Sequence, residues 1–172
     1  MATAHIVPVG MVDIELLRAL LNLLPSILPN WIFELNNPVP PPIKAYSAER
    51  KQYKASVIAL YLPKFSGYTL GITPYDIYEE GFNFLFGLAM PKVGKAIVSY
   101  HRLRPEFYGF TPNFKLLLER LGKEAVHELL HLHGLHHCPN SKCVMSFSNS
   151  LLDTDLKEIM PCEQCRRKIT SS

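Results

Sequence analysis

A chain of 172 residues, 48% hydrophobic and 19% charged, has the make-up of one ordinary domain, long enough to bury roughly two-thirds of its unfolded surface. Its net charge of +3 offers little phosphate attraction, so a nucleic-acid partner is excluded, and the one dense basic run, Arg166-Arg167-Lys168, reads as a solvated tail. The most apolar stretch, residues 11–33, is broken by Asp13, Glu15, Arg18 and prolines, which excludes a membrane span there; residues 1–10 lack the basic start of a signal peptide, so a cytoplasmic location is the expectation.

In chain order, residues 4–9 form an apolar, β-branched run that predicts a first strand. Asp13 is placed to cap a helix on which Leu16, Leu17, Leu20, Leu21 and Leu24 recur at helical spacing, with Pro25 and Pro29 as its expected end. A second strand is predicted over 31–35, and the prolines of 38–42 mark a surface connection. Residues 47–62 are expected to be helical behind Ser47 as cap. Strands follow over 68–72, from Phe82 to Leu88, and over 96–100, the second of these an edge or bulged strand because of Gly81 and Gly87. Thr111 or Asn113 then caps a long helix reaching His133, where Gly134 stops it, and a last helix is expected over 153–160. This order predicts an α/β (α+β) fold, a mixed five-stranded sheet packed against two or three helices, with a small irregular unit after Gly134 too poor in apolar residues to hold itself.

The chemistry is concentrated at the end of the long helix. Residues 127–137 read His-Glu-Leu-Leu-His-Leu-His-Gly-Leu-His-His, the pattern HExxHxxGxxH. His127 and His131, four residues apart, share one helical face and can reach one zinc ion. Glu128 is offset by about 100° around the helix, beside the metal without ligating it, where a general base for an activated water belongs. Gly134 lets the chain turn sharply, and His137 arrives from another direction as third ligand. Three histidines leave the fourth tetrahedral position for water, so the expected reaction is zinc-dependent hydrolysis of amide bonds. His133 is expected to be a polar surface histidine, His136 a weaker competitor of His137, and His5 and His101 ordinary surface or core residues.

All four cysteines lie in the last 35 residues: Cys138, Cys143, and the CxxC of Cys162 and Cys165. Two disulfides are one reading; a closed four-thiolate structural zinc is favoured, because short-spaced pairs separated by a loop suit a tetrahedral ion. Such an ion would clip the tail to the end of the catalytic segment and fix the direction of His137. Met145, two residues beyond Cys143, is expected to be buried near the histidines without ligating.

The run from His127 to Cys138, followed by Cys143, Met145 and the later Cys162 and Cys165, resembles the signature of the archaemetzincins, a branch of the metzincin zinc metallopeptidases. Asn83-Phe84, Phe86-Gly87, residues 104–108 and residues 146–150 are similar as well. The resemblance implies a metzincin-like twisted sheet with an active-site helix, an upper part over about 1–134, and a lower zinc-clipped part over about 135–172. It also implies one catalytic and one structural zinc, a methionine turn at Met145, and an extended substrate added to an edge strand, for which Phe82 to Leu88 is the candidate. The expected partner is a peptide or small protein substrate, and the chain itself is expected to be a monomer. A zinc-binding interaction module with a vestigial site, and a zinc hydrolase of non-peptide amides, stay open as alternatives. Arg104 and Tyr108 are the candidates for stabilising an oxyanion.

Overall fold

The computed structural model describes residues 1–170. β1 (Thr3–Pro8) leads through α1 (Ile14–Ile27) to β2 (Ile32–Leu35). A short 3₁₀ turn precedes β3 (Tyr46–Ser47), β4 (Gln52–Lys54) and α2 (Ala55–Tyr61). Then come β5 (Tyr68–Thr73), β6 (Ile77–Tyr78), β7 (Gly87–Met90) and β8 (Lys95–Ser99). The chain ends with α3 (Phe114–Leu132), α4 (Leu151–Leu156) and α5 (Glu163–Thr170).

The main sheet has the order β2-β1-β5-β8-β7, parallel except for β7, which pairs antiparallel with β8 at the edge. Both faces are covered. Ala4, Ile6, Leu70, Ile72, Ala96 and Val98 meet α1 and α3, while Val7, Val9 and Ile97 meet Ile58, Ala59 and Leu62 of the α2 segment. Burial from both sides explains why β1 reads as a continuous apolar run and not as an alternation. The expected mixed five-stranded sheet with helices is therefore present. The second sheet, β3-β4-β6, was not foreseen: its strands are only two or three residues long, too short for a period to register.

Four boundaries differ from expectation. Pro25 lies inside α1, where Leu28 N–H still bonds Leu24 C=O at 2.9 Å; a proline in the last turn removes a single bond, and buried Leu24 and Leu28 hold the turn. Residues 47–62 split into a β-turn hairpin and a shorter helix. Ser47 Oγ accepts from Arg50 N–H at 3.2 Å, capping a turn and not a helix, and Lys51 adopts φ 55°. The strand expected from Phe82 to Leu88 is Gly87–Met90, with 82–86 forming a loop joined to β6 by the Ile77–Leu85 bridge. The final segment is two helices, α4 and α5, in place of one over 153–160, and Arg166, Arg167 and Lys168 of the expected solvated tail are exposed on α5; residues 171 and 172 lie outside the described residues.

α3 positions the site. It starts where Asn113 Oδ1 accepts from Leu116 N–H at 3.1 Å, so Asn113 and not Thr111 is the cap. Its second half is buried almost all round, polar residues included, because it packs against α1, β7 and β8 while the segment after Gly134 folds back over it. Leu135, Val144 and Met145 join the main core, so this last segment is less dependent on its cysteines than its composition suggested. No helix among the described residues is long and apolar enough to cross a membrane. Asn113→Ala should cost about 1 kcal/mol, a Tm drop of about 2–4 °C, whereas Thr111→Ala should leave thermal unfolding unchanged.

Candidate metal centre

The last two turns of α3 carry His127, Glu128 and His131 into a cavity of about 330 Å³. Gly134, at φ 104°, ends the helix and returns the chain so that His137 reaches the same point. Ligand atoms of His127, His131 and His137 lie within 4.8 Å of one another, while exposed His136 is not among them.

Two backbone carbonyls fix the protons of this trio. His127 Nδ1 lies 2.8 Å from Val144 C=O, and His131 Nδ1 lies 2.8 Å from Leu135 C=O. A carbonyl only accepts, so each Nδ1 carries the hydrogen. In the neutral rings both Nε2 atoms are then bare lone pairs, and they face each other at 3.1 Å. No hydrogen bond can join two acceptors, so the geometry calls for a cation between them. A tetrahedral zinc with bonds of about 2.0–2.1 Å sets its nitrogens about 3.3 Å apart, and the His127–His131 pair is close to that spacing. Burial lowers the pKa of all three, most strongly for His127, and the Lys157 charge adds to this at each of them; the rings therefore stay neutral and able to ligate.

Glu128 is 5% exposed, and its carboxyl is pushed well above the ordinary range, first by burial and then by the neighbouring Glu124, with Lys157 opposing. It sits directly beneath the edge strand: a Cβ on Gly87 would come within 2.6 Å of Glu128 Oε2. Gly87, read from the sequence only as a bulge or edge marker, is what gives this carboxylate its place. The cavity is roofed by Phe82, Phe84, Leu85 and Phe86 and bounded by Phe147. That roof is pinned by Arg50 Nη2 donating to Phe82 C=O (2.8 Å), Gln52 Nε2 donating to Asn83 C=O (2.8 Å), and the Arg102 guanidinium over the Phe84 ring at 4.4 Å.

The four cysteines also converge. Their sulfurs lie within 4.8 Å of one another, and Cys138 Sγ is 3.9 Å from Cys162 Sγ, near the roughly 3.8 Å that two thiolates on a tetrahedral zinc would show. All four are free thiols, so the disulfide reading finds no support. Burial pushes the Cys143 and Cys165 thiols up, while the Cys165 backbone N–H holds Cys162 down at about 7. Cys138 N–H donates to Met145 C=O at 2.9 Å, and Met145 is fully buried.

Other expectations need correction. His133 is not a solvated histidine: its ring lies 5.2 Å from Trp31, and its Nδ1 shares a 3.0 Å hydrogen bond with Tyr68 Oη. Arg104 and Tyr108 do not line the cleft; Tyr108 Oη donates to Arg102 C=O and Arg104 turns to His101. Glu124 and Lys157 were missed. Glu124 had one visible signal, its position one helical turn before Glu128, and Lys157 had none.

A mixed α/β fold whose longest helix brings two histidines and a glutamate beneath an edge strand, with a third histidine beyond a glycine turn, is that of a zinc metallopeptidase. The model of peptidase family M54 matches residues 46–171, and the chain belongs to that family, the archaemetzincins. The archaemetzincin of Pyrococcus furiosus is 51% identical over 127 residues, 74% of this chain; the match spans 60% of that relative's length. The archaemetzincin of Methanocaldococcus jannaschii is 42% identical over 162 residues, covering 94% of this chain and 89% of that one. Among solved structures, the Archaeoglobus fulgidus archaemetzincin complexed with malonate is similar with a TM-score of 0.86 at 39% identity, covering 97% of this chain and 99% of that one. The zinc-dependent peptidase of Methanocorpusculum labreanum reaches 0.89 at 32% identity, covering 96% and 99%.

The buried Glu128 makes a pH prediction for the metal-free chain. Its folded pKa is raised, so it favours the fold at acid pH and that contribution is lost as pH rises through the folded value. Glu128→Gln should therefore be more stable than wild type at pH 8, and the advantage should shrink toward pH 4.5 in urea titrations.

Proposed function

We propose that this chain is a zinc peptidase in which His127, His131 and His137 hold the catalytic ion and Glu128 is the general base. The reading is carried by one observation: two bare Nε2 atoms 3.1 Å apart beside a buried carboxylate, in a cavity bordered by an edge strand. Zinc, when bound, supplies a Lewis acid that acidifies a water and polarises the scissile carbonyl. Glu128 takes the proton from that water and delivers it to the leaving amine.

The substrate is read as an extended peptide added to β7, which pairs with β8 on one side only and lines the cavity through Gly87, Leu88 and Ala89. This moves the substrate strand from Phe82–Leu88 to Gly87–Met90, leaving 82–86 as side-chain pockets. Met145 serves as an apolar floor. The cysteines are read as a second, structural zinc site tying Cys138, and through it His137, to α5. On this reading the chain is one catalytic domain with a lower part beginning near residue 135.

Glu128→Gln should lower kcat for peptide cleavage by at least about 100-fold with zinc content unchanged. Equal turnover by this variant would overturn the mechanism, and metal loading without turnover in wild type would favour a vestigial binding module. Elemental analysis should give two zinc ions per chain, falling to one in His131→Ala. Acid or chelator should empty the histidine site first, because an open site loses its metal more readily than a closed four-thiolate one.

A further inference from the structure

Lys157 is fully buried at the end of α4, yet its ammonium points into the region behind the histidines. Nζ lies 2.7 Å from Glu124 Oε1, on α3 one turn before Glu128, and donates to Ser146 C=O at 3.2 Å. Two residues earlier on that same segment, Val144 C=O accepts the Nδ1 proton of His127. The ammonium thus anchors residues 144–146 to the helix that carries His127. Its charge also bears on all three histidines and on Glu128. A buried ammonium is costly to desolvate, and a core role alone would be met as well by an apolar side chain.

We propose that Lys157, through its ion pair with Glu124 and its bond to Ser146 C=O, is a positioning residue for the metal centre, holding Val144 where it orients His127. The inference rests on the trio being a zinc site. His131 provides an internal control, because its orienting carbonyl, Leu135, is in the loop directly after α3 and is not reached by Lys157. Partners that orient a ligating histidine typically change metal affinity by 10–100-fold when lost.

The test uses the full chain loaded with zinc, chelator competition to measure retention at each site, and ¹⁵N NMR of the imidazole Nδ1–H signals. Lys157→Met strands a buried carboxylate and should unfold more easily, so the informative protein is Lys157→Met with Glu124→Leu, which removes both charges. It should hold zinc at the histidines 10- to 100-fold more weakly. The cysteine site should be unchanged, and the His127 Nδ1–H resonance should move or broaden clearly more than that of His131. Lys157→Leu with Glu124→Met, which also removes both charges, gives the same readouts if the first double variant does not fold. Wild-type retention at the histidines would overturn the proposal, as would equal disturbance of both imidazoles, which would mean general loosening. If wild type holds no zinc that His131→Ala removes, the metal reading itself fails, and this inference with it.

Discussion

Two peptide carbonyls decide what the histidines can be. Val144 and Leu135 each take an Nδ1 proton, so the nitrogens left facing each other carry lone pairs and no hydrogen. Two stretches of chain after α3 serve that arrangement. Gly134 turns the chain so that Leu135 C=O comes back to His131, and the 143–146 segment folds under α3 so that Val144 C=O reaches His127. A pair of imidazoles so held is unfavourable without a cation, and burial, by keeping both rings neutral, strengthens the demand for one.

The same helix solves a second problem. Arg120, Lys123, Glu124, His127 and Glu128 are all buried on α3, a row that could not be covered without partners. The partners come from the segment after Gly134. Asp155 grips Arg120 through two hydrogen bonds of 2.8 and 2.9 Å, Thr154 C=O accepts from Lys123 at 3.1 Å, and Lys157 meets Glu124. The docking of α4 is therefore ionic as well as apolar, and its geometry is bound to that of the catalytic helix. A buried pair adds little net stability compared with an apolar replacement, but it defines one arrangement, and a metal site requires one arrangement.

The roof of the cavity follows a different logic. Residues 82–86 form a loop, and a loop lining a cleft needs external support to present aromatic side chains in fixed positions. Arg50 and Gln52 supply it from the β3–β4 hairpin and Arg102 from the turn after β8, with Asp76 accepting from both Gln52 and Arg102. The reading of this stretch as a strand went astray because Phe82, Phe84 and Phe86 alternate with period two, as a strand face would. Here the alternation serves the cavity and not a sheet, and the ladder begins only at Gly87.

By itself the sequence determined the ligand types and their local order. A spacing of four on a helix, a glycine at the helix end and short-spaced cysteines are all constraints of neighbouring residues, and they carry to the folded state almost unchanged. It also determined the core strands of a mixed sheet and the cap of the long helix to within two positions. Tertiary structure alone decided which carbonyls orient the imidazoles, that Gly87 makes room for Glu128, that His133 belongs with Trp31 and Tyr68, and that Lys157 meets Glu124 and Ser146 C=O. Apart from the local His131–Leu135 bond, those contacts join residues 17 to 102 positions apart, and no periodicity or local propensity encodes such a distance. They exist because a buried helix bearing charges must find its partners wherever packing brings the chain back.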